Sequence, residues 1–466
     1  MAGLGEMEEK NLKFLIDFGS TFTKLVVVDL GREDVIQRYQ APSTVDTDIT
    51  IGLKQVLAQA QEEIGFKDLP KDSLLACSSA AGGLRMITVG LVPTLSCEAG
   101  GRAALGAGAK VIRNFSYELG LFDLVEIEKI SPDIILLIGG TDGGNKQVIL
   151  HNAKMLSNLT HAAPIVIAGN KDARDEIRFI FDSPGRSITF AENVMPEIGI
   201  LQVDSCREAI RQIFISHITK AKGIDKAKQI ISDVIMPTPA AVLSAAELLA
   251  EGVEAEKGLG ELVVVDVGGA TTDVHSIARG YPTHPGVMSK GLPEPYVKRT
   301  VEGDLGVRYN IDSLLEIGRL AGTLNDGYFD EIRARFVEPP KLPENDLEFE
   351  LDSLLAGIAV EIAVERHCGK IKSAAGPFGE FMIQEGKDLS EVKFVIGTGG
   401  PLVFAKDPVK ILQRVLFQSD YPYVLKPKGS KLYLDRTYSL YAMGLLSQTE
   451  PKKALRIMKK NLVPLS

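Results

Sequence analysis

The sequence has few cysteines and no long hydrophobic run. Its 466 residues include four cysteines, Cys77, Cys97, Cys206 and Cys368, and none of them forms a CxxC pair. Cysteines scattered in this way predict neither a disulfide framework nor a zinc site. No apolar stretch approaches the roughly 20 residues that cross a membrane. The first ten residues lack the apolar core of a signal peptide. We therefore expect a cytoplasmic protein.

An excess of basic residues is also missing. The chain has 52 lysines and arginines against 61 aspartates and glutamates, so its net charge is −9. Proteins that wrap DNA, or that bind membranes through polybasic surfaces, need the opposite balance. We therefore expect neither a nucleic-acid partner nor a membrane partner.

Glycine, by contrast, is abundant. The sequence contains 45 glycines, about 10% of its residues, where about 7% is usual. Many of them follow short apolar runs that predict strands, at 19, 139–144, 268–269 and 397–400. Glycines at the ends of buried strands allow backbone N–H groups to approach a ligand closely.

One strand–turn–strand pattern occurs twice along the chain. Residues 12–17 and 22–30 predict a hairpin, and residues 261–266 and 271–278 predict a second one. Each first strand ends in an aspartate, Asp17 or Asp266, and carboxylate oxygens are ligands that Mg²⁺ prefers. Lys24 and Asp273 each follow the aspartate of their hairpin by seven residues. The pattern therefore predicts two related ligand-binding turns.

The residues in these turns are small, and several carry hydroxyl groups. Clustered N–H and O–H donors of this kind bind phosphate oxygens. They are Gly19, Ser20, Thr21 and Thr23 in the first hairpin, and Gly268, Gly269, Thr271 and Thr272 in the second. A third turn consists of Gly397, Thr398, Gly399 and Gly400. Neither a Walker A sequence nor a GxGxxG that opens a βαβ unit occurs at these places, which excludes P-loop and Rossmann sites.

The remaining segments alternate between strand and helix patterns. Apolar runs at 133–138 and 164–168, each followed by helical periodicity, predict an inserted α/β region. Residues 238–250 and 438–446 predict helices with small-residue faces, and residues 352–372 predict a long helix. The proline-rich stretch 336–345 is typical of a linker.

The order of these motifs resembles the superfamily of actin, sugar kinases and heat-shock-70 ATPases. Residues 17–24 are similar to its first phosphate motif and residues 266–273 to its second. Residues 394–404 resemble its adenosine motif, and 237–250 and 438–446 its two connecting helices. The resemblance implies an α/β fold in which two ribonuclease-H-like domains clasp Mg²⁺ and ATP, with inserted α/β and helical subdomains.

The resemblance also implies a division of the chain. The first ribonuclease-H-like domain starts at 11–76 and is completed within 77–235, which also holds the inserted α/β region. A connecting helix occupies 236–257. The second ribonuclease-H-like domain occupies 258–436, with an insertion at about 280–390, and residues 437–466 form the second connecting helix and a tail.

Within this superfamily the chain is most similar to the MutL or GlmL accessory proteins of adenosylcobalamin-dependent glutamate mutase, which are unrelated to mismatch-repair MutL. The similar stretches are 77–86, 132–144, 299–306 and 365–369. The resemblance implies a chaperone or reactivating partner of a cobalamin-dependent mutase, with ATP and Mg²⁺ as its cofactors. The Asp-x-His-x-x-Gly segment expected in cobalamin-binding mutase subunits is absent.

The resemblance assigns roles to the conspicuous residues. Asp17 and Asp266 would hold Mg²⁺, while Lys24 and the two hairpin turns would stabilise charge on the phosphates. The turn at 397–400 would contact adenosine. Either Asp266 or Asp273 would orient the attacking water, and the weak ATPase that results would serve as a conformational switch.

Other functions of the same fold stay open at this point. A small-molecule kinase needs a general base, for which Glu302 and Asp304 are candidates. An iron–sulfur activator needs cysteines in its glycine-rich turns, and the turns at 138–144 and 397–401 have none. An actin-like filament protein would show ATP-dependent polymerisation. The client enzyme and the oligomeric state are not fixed by the sequence.

Single polar residues outside these motifs receive structural interpretations. His275 is expected at an outward-facing strand position. Glu361, Arg366 and Lys370 lie on or beside the predicted long helix. They either contact the nucleotide or form an exposed row of ion pairs.

Overall fold

A computed structural model of the protein describes most of the chain. The described residues are 11–45, 47–66, 69–79, 84–182, 186–218, 226–227, 230–254, 256–320, 332–333, 341–376 and 379–465. The chain forms two compact units. Unit 1 combines Met1–Ala81, Thr219–Lys290 and Glu294–Ser466, and unit 2 combines Gly82–Ile218 with Gly291–Pro293. Half of the predicted linker at 336–345, residues 336–340, lies outside the described residues.

The strands are numbered in chain order. They are β1 (Leu12–Phe18), β2 (Phe22–Asp29), β3 (Asp34–Pro42), β4 (Leu74–Ser78), β5 (Arg85–Gly90), β6 (Lys110–Ser116), β7 (Ile134–Leu137), β8 (Ile165–Ile167), β9 (Ile188–Phe190), β10 (Asp233–Pro237), β11 (Gly252–Val253), β12 (Glu256–Lys257), β13 (Leu262–Val267), β14 (Thr272–Ile277), β15 (Val287–Lys290), β16 (Val297–Glu302), β17 (Lys370–Gly376), β18 (Gly379–Glu385), β19 (Phe394–Thr398), β20 (Lys431–Asp435) and β21 (Leu462–Leu465).

The helices are numbered in the same way. They are α1 (Ile49–Ile64), α2 (Glu98–Gly106), α3 (Leu121–Ile130), α4 (Gln147–Ser157), α5 (Arg174–Ile180), α6 (Asp204–Ile218), α7 (Thr238–Glu251), α8 (Ile311–Leu320), α9 (Asp346–His367), α10 (Gly400–Val403), α11 (Pro408–Leu412), α12 (Leu440–Leu446) and α13 (Pro451–Asn461). Among the described residues, no helix combines the length and hydrophobicity needed to cross a membrane.

The first sheet of unit 1 has the strand order β10-β4-β1-β2-β3. β2 pairs antiparallel with both β1 and β3, while β4 is parallel to β1 and to β10. Counted within the sheet, this is the order 3-2-1-4-5 with a central first strand, which is the ribonuclease-H-like arrangement. The central position of β1 agrees with its nearly continuous apolar sequence, because such a strand is covered on both faces.

The second sheet of unit 1 repeats this arrangement. Its order is β16-β14-β13-β19-β20-β21, with β13 to β14 and β14 to β16 antiparallel, and β13 to β19 and β19 to β20 parallel. β21 adds one antiparallel strand beside β20. The predicted fold of two ribonuclease-H-like domains is therefore confirmed. β16 falls within the predicted insertion at about 280–390, but it is part of this sheet.

Both predicted connecting helices are present, as α7 and α12, and they cross at very close range. A Cβ atom added to Gly444 on α12 would lie 1.8 Å from the carbonyl oxygen of Ala241 on α7. Ala241, Ala245 and Ala442 are buried in the core shared by these helices. The small residues therefore allow the two backbones to touch. α12 begins two residues later than predicted, and α9 spans 346–367 rather than 352–372.

A smaller sheet of unit 1 has the order β15-β18-β17, with β18 parallel to β15 and antiparallel to β17. Unit 2 contains one parallel sheet with the order β6-β5-β7-β8-β9. The inserted α/β region predicted from sequence is thus a separate sheet. Its flanking strands β4 and β10 belong to the first sheet of unit 1, so the predicted range 77–235 extends into that sheet at both ends. The other segment boundaries stay predictions.

Candidate functional site

The two hairpins β1–β2 and β13–β14 have four-residue turns that are closed by the same hydrogen bond. The Gly19 N–H donates to the carbonyl of Phe22 over 3.1 Å, and the Gly268 N–H donates to the carbonyl of Thr271 over 2.9 Å. A Cβ added at Gly19 or Gly268 would lie 2.6 or 2.8 Å from the same carbonyl oxygens. Both positions therefore require glycine, and the predicted repeat extends to the hydrogen bonds of the turn.

Asp17 lies fully buried at the end of β1, with both carboxylate oxygens bonded. Oδ2 accepts a hydrogen bond from Lys24 Nζ at 2.7 Å, and Oδ1 accepts one from Thr238 Oγ1 at 2.6 Å. Lys24 is the direct cross-strand partner of Asp17, so the two side chains share one face of the sheet. Thr238 is the first residue of α7. Asp17 thus connects the first turn to the first connecting helix.

Lys24 is held by aromatic residues as well as by Asp17. Its Nζ donates to the hydroxyl of Tyr438 over 3.1 Å and lies 4.4 Å from the centroid of that ring. The ring of Tyr441 is 5.5 Å away. Burial by itself lowers the pKa of Lys24, but Asp17 and the two tyrosines outweigh it and raise the pKa well above its usual value. Lys24 is therefore a fixed positive charge at the first turn.

Asp266 occupies the corresponding position at the end of β13, but its surroundings differ. Its cross-strand partner is Asp273, another carboxylate. Within the part of the chain that the structure describes, Asp266 forms no hydrogen bond or ion pair. Burial and the charge of Asp273 raise the pKa of Asp266 to about 7, while Lys24 acts in the opposite direction. This open carboxylate is therefore suited to receive a cation.

Asp273 forms an ion pair with a residue that the sequence did not reveal. Arg299 on β16 donates to Asp273 Oδ1 from Nε at 2.9 Å and from Nη2 at 2.6 Å. Asp273 Oδ2 accepts only the hydroxyl of Thr271, at 2.9 Å, among the hydrogen bonds that the structure resolves. Arg299 follows Asp273 by 26 residues, and only the pairing of β14 with β16 brings the two together.

The loop that contains residues 306–308 is hydrogen-bonded to the second turn. The Val307 N–H donates to the carbonyl of Gly268 over 3.2 Å, and the Arg308 N–H donates to that of Gly269 over 2.8 Å. A Cβ at Gly306 would come within 2.3 Å of the Ala270 backbone. The loop and the turn are thus packed backbone to backbone, which fixes the orientation of the turn.

The two turns also touch each other. A Cβ at Gly269 would lie 2.6 Å from Thr21 Oγ1 of the first turn. The hydroxyl of Tyr309, beside the second turn, donates to the carbonyl of Ser20 over 3.4 Å. The structure therefore brings Gly19, Ser20 and Thr21 together with Gly268, Gly269 and Thr271.

Two of the residues predicted to contact phosphates, Thr23 and Thr272, lie away from the turns. Thr23 packs on the other face of β2, where its Oγ1 would be 2.6 Å from a Cβ at Gly52 of α1. Thr272 is also buried, and its hydroxyl donates to the carbonyl of Leu305 over 2.8 Å. Because side chains alternate along a strand, residues next to Lys24 and Asp273 point away from the turns. This geometry corrects the expectation that Thr23 and Thr272 contact phosphates.

The third turn joins β19 to α10 directly beside the second hairpin. Gly399 has a positive φ of 97°, and a Cβ there would lie 2.2 Å from the Val267 carbonyl oxygen. Thr398 points inward, and its hydroxyl donates to Asp435 Oδ2 over 2.9 Å. Gly397 is packed beneath the turn, so Gly399 and Gly400 are the members placed to approach a ligand.

Asp435 is a second residue that sequence reasoning missed. Its carboxylate accepts hydrogen bonds from the backbone N–H groups of Ser439 and Leu440, each at 2.9 Å. These are the groups at the start of α12 that lack partners within the helix. An aspartate three residues before the helix predicted at 438–446 was the available signal. Asp435 therefore couples the third turn to the second connecting helix, as Asp17 couples the first turn to α7.

The donor set fits Mg²⁺ at one of the two predicted ligands. Mg²⁺ is commonly held by one or two carboxylates together with phosphate oxygens and water. Asp266 offers both of its oxygens, whereas both oxygens of Asp17 already accept hydrogen bonds. Among the described residues, no cluster of three or more His, Cys, Asp or Glu side chains could hold a metal alone. Bound there, the ion would neutralise phosphate charge.

The carboxylates suggested for a kinase are engaged in ion pairs. Arg366 Nη1 lies 2.6 Å from Glu302 Oε2 and 2.9 Å from Asp304 Oδ1. Glu361 pairs with Arg414 at 3.0 Å, and Lys370 with Glu365 at 3.1 Å. Ion pairs were one of two expectations for these residues, but Glu361 and Arg366 pair with residues outside α9 rather than in a row along it. These ion pairs leave neither Glu302 nor Asp304 poised as a general base.

The expectation for His275 is wrong. The ring is fully buried, and neither of its nitrogens has a hydrogen-bond partner among the described residues. Burial and the charge of Arg299 lower the pKa of His275 to about 3. His275 shares a strand face with Asp273, two residues away, and that spacing could have signalled a position beside the site rather than an outward one.

Sequence comparison places the chain in a family. The family model described as MutL protein matches residues 13–462. The chain belongs to the MutL protein family. A curated relative, Protein MutL of Clostridium tetanomorphum, is 48% identical over 457 residues, which cover 96% of this chain and 98% of the relative. Membership in the MutL family agrees with the resemblance seen in the motifs.

Solved structures show weaker likenesses. The activator of the 2-hydroxyisocaproyl-CoA dehydratase from Clostridium difficile, with bound ADPNP, is 10% identical with a TM-score of 0.31, covering 97% of this chain and 95% of that one. Xylulose kinase from Bifidobacterium adolescentis is 11% identical with a TM-score of 0.31, covering 97% and 94%. At such scores they carry no weight for function, and the fold of this MutL family member rests on its strand order.

Proposed function

We propose that this protein binds Mg²⁺ and ATP at the paired hairpin turns and hydrolyses ATP slowly. We further propose that it acts as a chaperone or reactivating factor for an adenosylcobalamin-dependent mutase such as glutamate mutase. One observation carries the nucleotide part: two glycine turns with the same closing hydrogen bond touch each other, with a fixed cation, Lys24, at one and an open carboxylate, Asp266, at the other. Membership in the MutL family supports the accessory role.

Each group in the site has a distinct task in this proposal. Backbone N–H groups of the two turns and Lys24 stabilise the phosphate oxygens. Asp266 holds the metal, because its oxygens accept no hydrogen bond from the residues that the structure describes. Asp17 positions Lys24 and the first connecting helix rather than binding the metal itself. Asp273 keeps one oxygen with a single hydroxyl donor, so we assign this carboxylate the orientation of the attacking water.

The conformational readout uses the two connecting helices. The first starts at Thr238, which donates to Asp17, and the second starts beside Asp435, which binds Thr398. A nucleotide that changes the contacts of the turns acts on both helix starts at once. ATP and ADP, which differ at the phosphates beside the hairpins, would therefore favour different arrangements of the two sheets.

We place the docking of the mutase on unit 2. Leu121, Phe122 and Val125 on α3 are 76%, 92% and 67% exposed, and neighbouring Tyr117 is exposed as well. Contiguous exposed apolar side chains mark protein interaction sites. Tyr117 also has a φ of 68°, which is unfavourable for a tyrosine. The Asn152 side chain holds this segment by donating to the Tyr117 carbonyl over 2.8 Å.

Two experiments test the proposal. Millimolar MgATP should raise the melting temperature of the protein through linkage, and slow phosphate release should accompany it. No shift and no release would contradict the nucleotide site.

In the second experiment, the tagged protein is incubated with purified glutamate mutase, with and without ATP. Phe122→Ser should weaken capture, while Phe179→Ser, at a site that is 82% exposed on α5, should not. Equal capture by both variants would contradict the docking surface.

A further inference from the structure

Arg38 on β3 lies against aromatic rings of the second sheet's elements. Its guanidinium carbon is 4.6 Å from the centroid of the Phe404 ring and 5.8 Å from that of Tyr438. Phe404 directly follows α10, and Tyr438 precedes α12. Stacking of this kind fixes the plane of a guanidinium group and so orients its N–H donors. Arg38 is thus a residue of the first sheet that is held in place by the second.

One end of this arginine has no partner. Nη1 of Arg38 is buried and forms no hydrogen bond with any residue that the structure describes. A buried charged donor without an acceptor is strongly unfavourable. Buried polar groups in native proteins are nearly always bonded, and exceptions point to a ligand or a functional role. The position of Arg38 indicates what that ligand is.

Arg38 has neighbours in common with both the first hairpin and the predicted adenosine turn, since Arg38 and Lys24 both lie over the Tyr438 ring. Its cross-strand partner Val26 is two residues from Lys24, so Arg38 and Lys24 share one face of the sheet. On the other side, the Phe404 ring is 4.0 Å from a Cβ position at Gly400. The unpaired donor is therefore next to the ring that borders the adenosine turn. It also lies on the strand beside that of Lys24, the lysine proposed to bind phosphate.

We propose that Arg38 is a nucleoside-binding residue of this site. Nη1 donates a hydrogen bond to an acceptor on the ribose or the base of the bound nucleotide, while Phe404 holds the guanidinium plane. The nucleoside is favoured over the phosphates because Arg38 stacks on the ring beside Gly400, whereas Lys24 and the two hairpin turns already serve the phosphates. This inference rests on the proposed nucleotide-binding function and adds a contact from the first sheet.

The test compares two ligands that differ only in the nucleoside. Affinities of the full-length protein for MgATP and for magnesium tripolyphosphate are measured by calorimetry in wild type and in Arg38→Gln. Loss of a hydrogen bond from a charged donor predicts roughly 10- to 100-fold weaker MgATP binding. Tripolyphosphate binding should stay unchanged. Equal weakening of both ligands would make Arg38 a phosphate contact, and unchanged MgATP binding would remove it from the site; either result overturns the proposal.

Two further variants guard against loss of folding. Phe404→Leu keeps Arg38 but removes the stacked ring, and it should also weaken MgATP more than tripolyphosphate. Arg32→Gln, on the exposed β2–β3 turn, removes an arginine that pairs with Asp29 at 3.5 Å and should leave both affinities unchanged.

If Arg38→Gln does not fold, equal effects of Phe404→Leu on the two ligands overturn the proposal. If wild type binds tripolyphosphate but not ATP, the inference about Arg38 fails while the phosphate site stands; if it binds neither, the proposed function itself fails.

Discussion

Asp17 and Asp266 end corresponding strands of two hairpins that share their turn geometry, yet the residues facing them carry opposite charges. Lys24 faces Asp17 and neutralises it, whereas Asp273 faces Asp266 and repels it. The repeated backbone supplies N–H donors twice. The residue opposite the aspartate therefore gives each hairpin a different role. The first hairpin holds the lysine cation in place, and the second leaves the carboxylate of Asp266 available to bind a metal cation.

This difference also affects stability. A buried opposite-charge pair is costly to break, because either partner alone is an uncompensated buried charge. Two neighbouring carboxylates instead disfavour the ionised form and raise a pKa. Perturbed groups of this second kind are typical of functional sites. The first hairpin is therefore stable without a ligand, while the second becomes more favourable when a cation binds.

The largest expected effect comes from neutralising the open carboxylate. Asp266→Asn should lower MgATP turnover at least about 100-fold, since it removes the proposed metal ligand. In the metal-free protein the same change should increase stability at pH 8. The folded pKa is raised to about 7, so the native state binds the extra proton between roughly pH 4 and 7. Stability of wild type therefore falls over that window as pH rises.

Urea unfolding at pH 5 and pH 8 measures this effect, with turnover followed separately by phosphate release. Asp17→Asn is the matched control, because it should destabilise the protein by leaving Lys24 without its carboxylate. Opposite signs for the two variants at pH 8 are expected. A destabilised Asp266→Asn protein, or one with wild-type turnover, would remove the contrast between the hairpins.

A second, smaller effect is expected from breaking the first hairpin's ion pair. Lys24→Met leaves Asp17 buried without a cation and should lower the free energy of unfolding by about 3–5 kcal/mol. The double variant Asp17→Asn with Lys24→Met should regain much of that loss, since no unpaired charge remains. Denaturant titrations of the three variants give the coupling energy. If the double variant loses the sum of the unfolding free energies lost by the two single variants, Asp17 and Lys24 do not stabilise each other and the prediction is wrong.

A third prediction concerns what the hairpins have in common. Gly19→Ala and Gly268→Ala should each destabilise the protein by about 1–3 kcal/mol, because the new methyl group collides with a backbone carbonyl in both turns. Gly101→Ala on α2 meets no atom of the described residues within 4 Å and should be neutral or slightly stabilising. Thermal melts compare the three proteins. Tolerance at one hairpin only would show that the turns are not equivalent.

The smallest effect is expected at His275, beside the second hairpin. Its folded pKa is lowered to about 3, so the unfolded state binds the extra proton between about pH 3 and 6.5. Stability should therefore decrease as pH falls through that range. His275→Phe should reduce the decrease by about 0.7 kcal/mol between pH 7 and 6. His284→Gln, an exposed control, should leave the pH profile unchanged, and an unchanged profile in His275→Phe would contradict the interpretation.

The hairpins, the third turn and both connecting helices could be predicted because their signals are local. An aspartate after an apolar run, followed by glycine and hydroxyl residues, specifies a strand end and its turn within a few positions. The small residues of α7 and α12 likewise predict that the two helices cross at close range. These features depend on spacing within one segment, which the sequence displays directly.

Other members of the site depend on pairings between distant segments. Arg299 reaches Asp273 only through the register of β14 and β16, and Asp435 reaches Thr398 only because β20 lies beside β19. Arg38 meets Phe404 across two sheets. Thr23 was misplaced for a related reason, since the face of a strand residue depends on which neighbours cover the sheet. No short motif encodes such contacts.

The division of tasks between the hairpins is tested most directly by the Mg²⁺ dependence of ATP binding. Calorimetric affinities for ATP, with and without Mg²⁺, should be measured in wild type, Asp17→Asn and Asp266→Asn. The account predicts that Mg²⁺ strengthens binding in wild type and in Asp17→Asn, and that this gain disappears in Asp266→Asn. A gain that persists in Asp266→Asn and is lost in Asp17→Asn would contradict it, because the metal would then belong to the first hairpin.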